Sequence, residues 1–177
     1  FVLDALAAGS ARSAADAAAR LGADLYNPFN LFVADAHDAI AVVYEGTPRE
    51  MNLDPGVHVI GNADPNAREV AKIARTLDRA EAVAAGPTAQ IADGLREICR
   101  SHEAGDDALA STCVHRGAYG TRSSTLLRLG FDGDLLQHAE GPPCTNPYRD
   151  FTPLLAQLGS PALLRAVTLQ KRPPLGS

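Results

Sequence analysis

The chain has no tryptophan, a single methionine, three cysteines and only 5% aromatic residues, and each shortage closes off a class of protein. With so few rings, the core has to be built from Leu, Val, Ile and Ala. No stretch approaches the roughly 18 consecutive apolar residues that a membrane-spanning helix needs, so no membrane span is expected. The opening "FVLDALAAGS" lacks an initiator Met, a basic n-region and a small-residue cleavage pattern, so no secretory leader is read there. Cys99, Cys113 and Cys144, spaced 14 and 31 residues apart, are expected to make neither a disulfide framework nor a zinc site. Reduced thiols in a cytoplasmic protein, with no metal, are the plain expectation. Basic residues are also short: 16 Lys and Arg face 21 Asp and Glu, a net charge of −5. A nucleic-acid partner needs a basic face, so none is expected.

What is present is the make-up of an ordinary soluble domain. Hydrophobic residues are 46% and charged residues 21% of 177, enough for one domain over residues 1–177. Val2, Leu3 and Leu6 share one helical face, so the chain is read as opening inside an amphipathic helix. A second helix follows in "SARSAADAAARLG", with Ser13 as its cap, Asp16 in its first turn and Gly22 as a left-handed stop. "NLFVADAHDAIAVVYEG" reads as an antiparallel hairpin turning at Ala36-His37-Asp38. A short strand is expected through Val57, Val59 and Ile60, and Asp64-Pro65 then reads as a helix start. Val70, Ile73, Ala74 and Leu77 recur at helical spacing, as do Ile91, Leu95, Ile98 and Cys99 after Gly86-Pro87.

Beyond the loop "EAGDDALAS", a strand is expected near Thr112–His115, then the glycine-rich "GAYG". Next comes a hairpin in which Leu127, Leu129 and Phe131 alternate with Arg128 and Gly130, turning at Asp132-Gly133. The tail, residues 144–177, is broken by prolines and carries no clear pattern. Helices interleaved with hairpins indicate an α+β fold, not alternating parallel βαβ units.

Most candidates for chemistry have a plain structural competitor. In an extended Cys113-Val114-His115 the first and third side chains share a face, which suits a thiol–imidazole pair or a ligand set for metal or haem. A buried cysteine beside a hydrogen-bonded histidine is the commoner arrangement. His58 reads as an edge-strand residue, and Asp35, His37 and Asp38 as turn chemistry. Gly117–Gly120 lacks the Lys-Ser/Thr ending of a phosphate loop and leads into a strand, not a helix. Two stretches stand out. "GNADPN" places Asn62 at a strand end, where its amide can donate into a pocket or simply close a turn. "YGTRSST" gathers several Ser and Thr hydroxyls and Arg122 at a strand mouth, which suits a carboxylate or carbonyl but equally fits an exposed strand end.

"LYNPFNLFVAD" at 25–35, "GVHVIGNADPN" at 56–66 and "GAYGTRSSTLL" at 117–127 occur in this order in the Asn-Arg-Asp-Glu proteins, relatives of the transport-and-Golgi-organisation protein. The resemblance runs from Phe1 to about Pro143. It implies an N-terminal-nucleophile hydrolase fold, two antiparallel sheets stacked face to face with helices outside. It also implies hydrolysis of a non-peptide amide by an amino-terminal cysteine whose own amine takes the thiol proton. Members begin Met-Cys and carry Asn-Arg-Asp-Glu soon after. This chain begins at Phe1 and has neither, so it resembles the C-terminal part of a member, completed by a missing N-terminal segment or a second copy.

By the same resemblance Asn62 and Arg122 are the catalytic candidates, Asn62 steadying the tetrahedral intermediate. Asn30, Tyr119, Thr121, Ser123 and Ser124 would contact a small amide substrate. No cofactor is implied for that activity. The alternative is a binding or trafficking protein for an apolar ligand such as haem or a lipid.

Overall fold

The computed structural model describes residues 2–102, 108–130 and 133–157, in which helices and antiparallel strands mix as an α+β chain with three small sheets. Residues 1–77 and 78–177 form two compact units, which are taken in turn. Among the described residues, no helix is long and apolar enough to cross a membrane.

The first unit holds α1 (Val2–Leu6), α2 (Ala11–Ala19), β1 (Phe29–Ala34), β2 (Ala39–Tyr44) and β3 (Pro48–Asn52), with the strands ordered β1-β2-β3, all antiparallel. The run "AIAVVY" makes β2 the central strand: every residue from Ile40 to Tyr44 is buried, so both faces of the strand are covered. On one face Ile40 and Val42 pack against Ala15 and Ala18 of α2, with Leu31 and Val33 alongside. Methyl side chains on α2 let its backbone come close to the sheet. The expected first helix is present, but Val2, Leu3 and Leu6 are exposed.

α2 departs from expectation at both ends. Its cap is Ser10, not Ser13: Ser10 has an extended backbone and its hydroxyl accepts the Ser13 N–H at 3.1 Å. The Asp35 carboxylate also takes the Ala11 N–H at 2.8 Å, which draws the helix start toward the hairpin and leaves Asp16 past the first turn. The C-cap is Arg20, and the left-handed backbone that follows falls on Asp24, φ 55°, instead of Gly22.

The β1–β2 hairpin turns where expected, and Asp35 organises it. Besides Ala11, its carboxylate accepts the N–H groups of His37 and Asp38 at 2.8 and 3.0 Å. The Ala11 bond, then those of Asp38 and His37, hold its pKa down to about 2 from the ordinary 3.8. A carboxyl with a depressed folded-state pKa stabilises fully above its unfolded value, and the effect is lost as pH falls through the folded one. Asp35→Ala is expected to cost about 1–2 kcal/mol at neutral pH, with screening at this half-buried site limiting the effect. Urea midpoints measured against pH should show the gap between wild type and variant closing as pH falls from about 4 towards 2.

The expected strand at residues 57–60 is not one. β3 instead comes from the polar "PREMN", an edge strand whose proline sits at its first position, where no ladder N–H is required. Residues 57–60 run unpaired because Asn66 stands in for a neighbouring strand. Its Oδ1 accepts the Val59 N–H and its own N–H donates to the Val59 carbonyl, both at 2.9 Å. To do so Asn66 adopts φ 62°, a left-handed conformation incompatible with a helix. Asp64-Pro65 is therefore a turn, and α3 (Ala71–Ala84) starts later.

α3 carries the chain across the division between the units, burying Ile73 and Leu77 before it and Ala80 after. The second unit contains α4 (Ile91–Arg100), preceded by a single 3₁₀ turn, then the short hairpin of β4 (His115–Arg116) and β5 (Tyr119–Gly120). β6 (Ser123–Arg128), β7 (Leu135–Glu140) and β8 (Arg149–Asp150) form its three-stranded sheet, followed by α5 (Thr152–Gln157). α4 packs against β6 and α5 against β7. Arg96 of α4 also binds the Gln137 Oε1 of β7 at 2.8 and 3.0 Å.

The strand expected near Thr112–His115 is shorter and later, two residues from His115. In β6 the alternation is real, but the buried member is Leu126, while Leu127 and Leu129 are exposed. Pairing of Ser124 with buried Ala139, and of Leu126 with Gln137, fixes this register, and a one-residue slip would invert it. Phe131 and Asp132 lie outside the described residues. So does the tail beyond Gln157; its earlier part supplies β8 and α5.

Candidate functional site

Asn30 and Asn62 are brought together in the first unit. From β1, the Asn30 amide donates to the carbonyls of Gly61 and Ala63 at 2.6 and 2.8 Å, gripping the loop on either side of Asn62. Asn62 is exposed and its amide has no hydrogen-bond partner among the described residues. The two asparagines line a cavity of about 340 Å³ with Phe29 and Tyr44, whose rings stack 5.1 Å apart at 9°. Tyr44 is fixed by its own hydroxyl, which donates to the Gly22 carbonyl at 2.7 Å and accepts the Leu25 N–H at 2.9 Å. An anchored loop, a rigid aromatic wall and an unspent amide donor make a site able to bind a carbonyl oxygen.

A second cavity in the first unit, about 680 Å³, lies among Phe32, Leu53, Ile60 and the Asp35–Asp38 turn. His58 lines it with both ring nitrogens engaged. Because Asn66 Oδ1 already accepts from Val59, its NH₂ donates to His58 Nδ1 at 2.8 Å, which leaves Nε2–H to donate to the Asp54 carbonyl at 2.7 Å. That assigns the tautomer and leaves no nitrogen for a ligand.

In the second unit Tyr119, Thr121 and Arg122 line one cavity of about 350 Å³, together with His115 and Glu140. The Arg122 guanidinium engages no partner among the described residues, while its carbonyl accepts the Gly141 N–H at 2.9 Å. The hydroxyls are less free than their pattern suggests. Thr121 Oγ1 accepts the Val114 N–H at 2.9 Å, and Ser124 pairs with the Tyr148 hydroxyl at 2.6 Å. Burial is the main influence raising the Tyr148 pKa. Ser123 is exposed at the start of β6 and, like Ser124, lies outside the cavity lining. Gly120 permits this packing, since a Cβ there would meet the Val114 carbonyl oxygen at 2.6 Å. Asn62 thus belongs to the first unit and Arg122 to the second.

Cys113 and His115 also meet, with Sγ and Nε2 3.7 Å apart. His102, which the sequence pattern does not single out, and Cys144, whose spacing from Cys113 suggests no zinc site, join them; ligand atoms of all four lie within 4.8 Å of one another. Burial pushes the Cys113 thiol up, opposed by hydrogen bonds from the Cys144 N–H and the Thr121 hydroxyl.

A family model described as Transport and Golgi organisation 2 matches residues 1–137 of the chain. No curated protein and no solved structure matches it.

Proposed function

The chain belongs to the Transport and Golgi organisation 2 family, and on that footing we propose that it is the oxyanion-binding part of an N-terminal-nucleophile amidohydrolase of the Asn-Arg-Asp-Glu type. The observation that carries this reading is the unpartnered Asn62 amide on a loop clamped by Asn30. A donor held in place before the reaction stabilises charge as it develops on a carbonyl oxygen, without reorganisation at the moment of attack. The substrate is a small linear amide. Its carbonyl is attacked by an amino-terminal cysteine, as the resemblance to the Asn-Arg-Asp-Glu proteins implies. The leaving amine takes a proton from the ammonium formed when the terminal amine accepts the thiol proton, and water then hydrolyses the acyl-cysteine thioester, releasing the acid and restoring the thiol. Arg122 is a further polar anchor, suited to a carboxylate.

The larger cavity favours a second reading, binding of an apolar ligand such as haem or a lipid against Phe32, Leu53 and Ile60. One experiment separates the two. The protein with its N-terminal cysteine is assayed for amine release from linear acyl-amides and titrated with haem in parallel. Amide cleavage lost on changing the terminal cysteine to alanine supports the hydrolase. No cleavage, with a Soret shift that survives that change, overturns it in favour of ligand binding.

A further inference from the structure

We propose that His102, Cys113, His115 and Cys144 form a tetrahedral binding site for one zinc-class divalent cation, a site that stands apart from the amide-cleaving reading. Zinc in closed sites takes four cysteine and histidine ligands, at about 2.3 Å from sulfur and about 2.0–2.1 Å from nitrogen. Around such an ion, two sulfurs stand about 3.8 Å apart and a sulfur and a nitrogen about 3.5 Å apart. Here Cys113 Sγ and Cys144 Sγ are 3.6 Å apart, Cys113 Sγ and His115 Nε2 3.7 Å, and His115 Nε2 and Cys144 Sγ 3.0 Å. The His102 and His115 rings lie 5.1 Å apart, tilted by 35°. Both cysteines are free thiols, so neither is consumed in a disulfide.

The surroundings fit a metal thiolate. Backbone and side-chain bonds around Cys113 fix where its sulfur stands, the kind of outer contact that orients a ligating group. Thr121 is itself held by the Val114 N–H, and the Cys113 N–H is tied to the Ser101 carbonyl at 3.0 Å. The four residues come from three places within the second unit: just after α4, around the start of β4, and the connection from β7 to β8. An ion held between them would lock that connection and the short β4–β5 hairpin to the end of α4. That hairpin has only two residues per strand. With four protein ligands the site is closed, so its role is to hold structure and not to activate water.

The test uses the full chain, reduced and stripped of metal. Cobalt(II) should bind one per chain, giving the intense d–d absorption of a tetrahedral site and a near-ultraviolet sulfur-to-metal charge-transfer band, both bleached by zinc(II). Cys144→Ser should weaken binding by about 100-fold or more and His102→Ala by about tenfold, while Cys99→Ser should change nothing. Because buried Cys113 is a folding risk when replaced, the wild-type chain supplies a second readout: zinc should shield the part-exposed Cys144, but not Cys99, from iodoacetamide, as read by peptide mass. A pale octahedral cobalt spectrum without the charge-transfer band overturns the proposal. So does alkylation of Cys144 that is the same with and without zinc, or a Cys113–Cys144 disulfide recovered when the zinc-treated protein is exposed to dissolved oxygen.

Discussion

Asn62→Ala is expected to lower kcat for amide cleavage about 10²–10³-fold while leaving KM nearly unchanged. The split follows from where the amide acts. A ground-state carbonyl is a weak acceptor, so losing one donor changes substrate binding little, whereas the oxyanion of the tetrahedral intermediate carries nearly a full charge. A donor whose contribution is made in the transition state lowers kcat and kcat/KM together when removed. Asn62→Asp keeps the shape but puts a carboxylate where the N–H₂ stood, and should fall at least as far as alanine. Alanine and aspartate variants that both retain full kcat would show that Asn62 only closes its loop. The measurement is steady-state amine release by the protein bearing its N-terminal cysteine. Denaturation midpoints should stay near wild type, because Asn62 is exposed and without a partner among the described residues.

How far the sequence disclosed this arrangement depends on the range of the interactions involved. The β1–β2 hairpin was legible because its apolar strands and the Asp35 turn are local features, and the turn residues satisfy their own backbone. The apolar spacing of α3 and α4 was legible for the same reason. β3 was not: its identity lies in its pairing with β2, and nothing in Pro-Arg-Glu-Met-Asn advertises an edge strand. Residues 57–60 misled in the opposite sense: Val57, Val59 and Ile60 are β-branched and apolar, but Val59 pairs with a single asparagine, through its side chain and its backbone N–H, instead of with a strand. Of the site residues, Asn62 and Arg122 stood out by their settings at chain turns. The grip of Asn30 on the loop spans 31 and 33 residues, a separation that no local pattern encodes. The cysteine–histidine cluster was hidden more thoroughly still. Its spacings follow no zinc-finger pattern, and Cys144 arrives only because the β6–β7 hairpin returns the chain to β4.

The core of the first unit sets the other large effect: Ile40→Ala should destabilise it by about 4 kcal/mol, near the upper end of the range of about 2–5 kcal/mol for such truncations. Ile40 is fully buried on the central strand and faces Ala15 and Ala18. The cost of a truncation depends on how well neighbours can move into the space it leaves. Alanines have no side-chain torsion with which to reach inward. α2 itself is held from shifting by its ties to the sheet: Ala11 to Asp35, and Arg12 to Glu50 and Asn52 at 3.1 and 2.7 Å. The cavity should therefore persist. Ile40→Val, which removes a single methylene, should cost about 1 kcal/mol. Adding Ala18→Leu to Ile40→Ala should then recover part of the loss, because the new side chain starts on the facing helix and can enter the vacated volume. Urea denaturation of the single variants and the double variant would read this coupling directly. If Ile40→Ala cost no more than Ile40→Val, the α2–β2 contact would not be the packed core described for this unit.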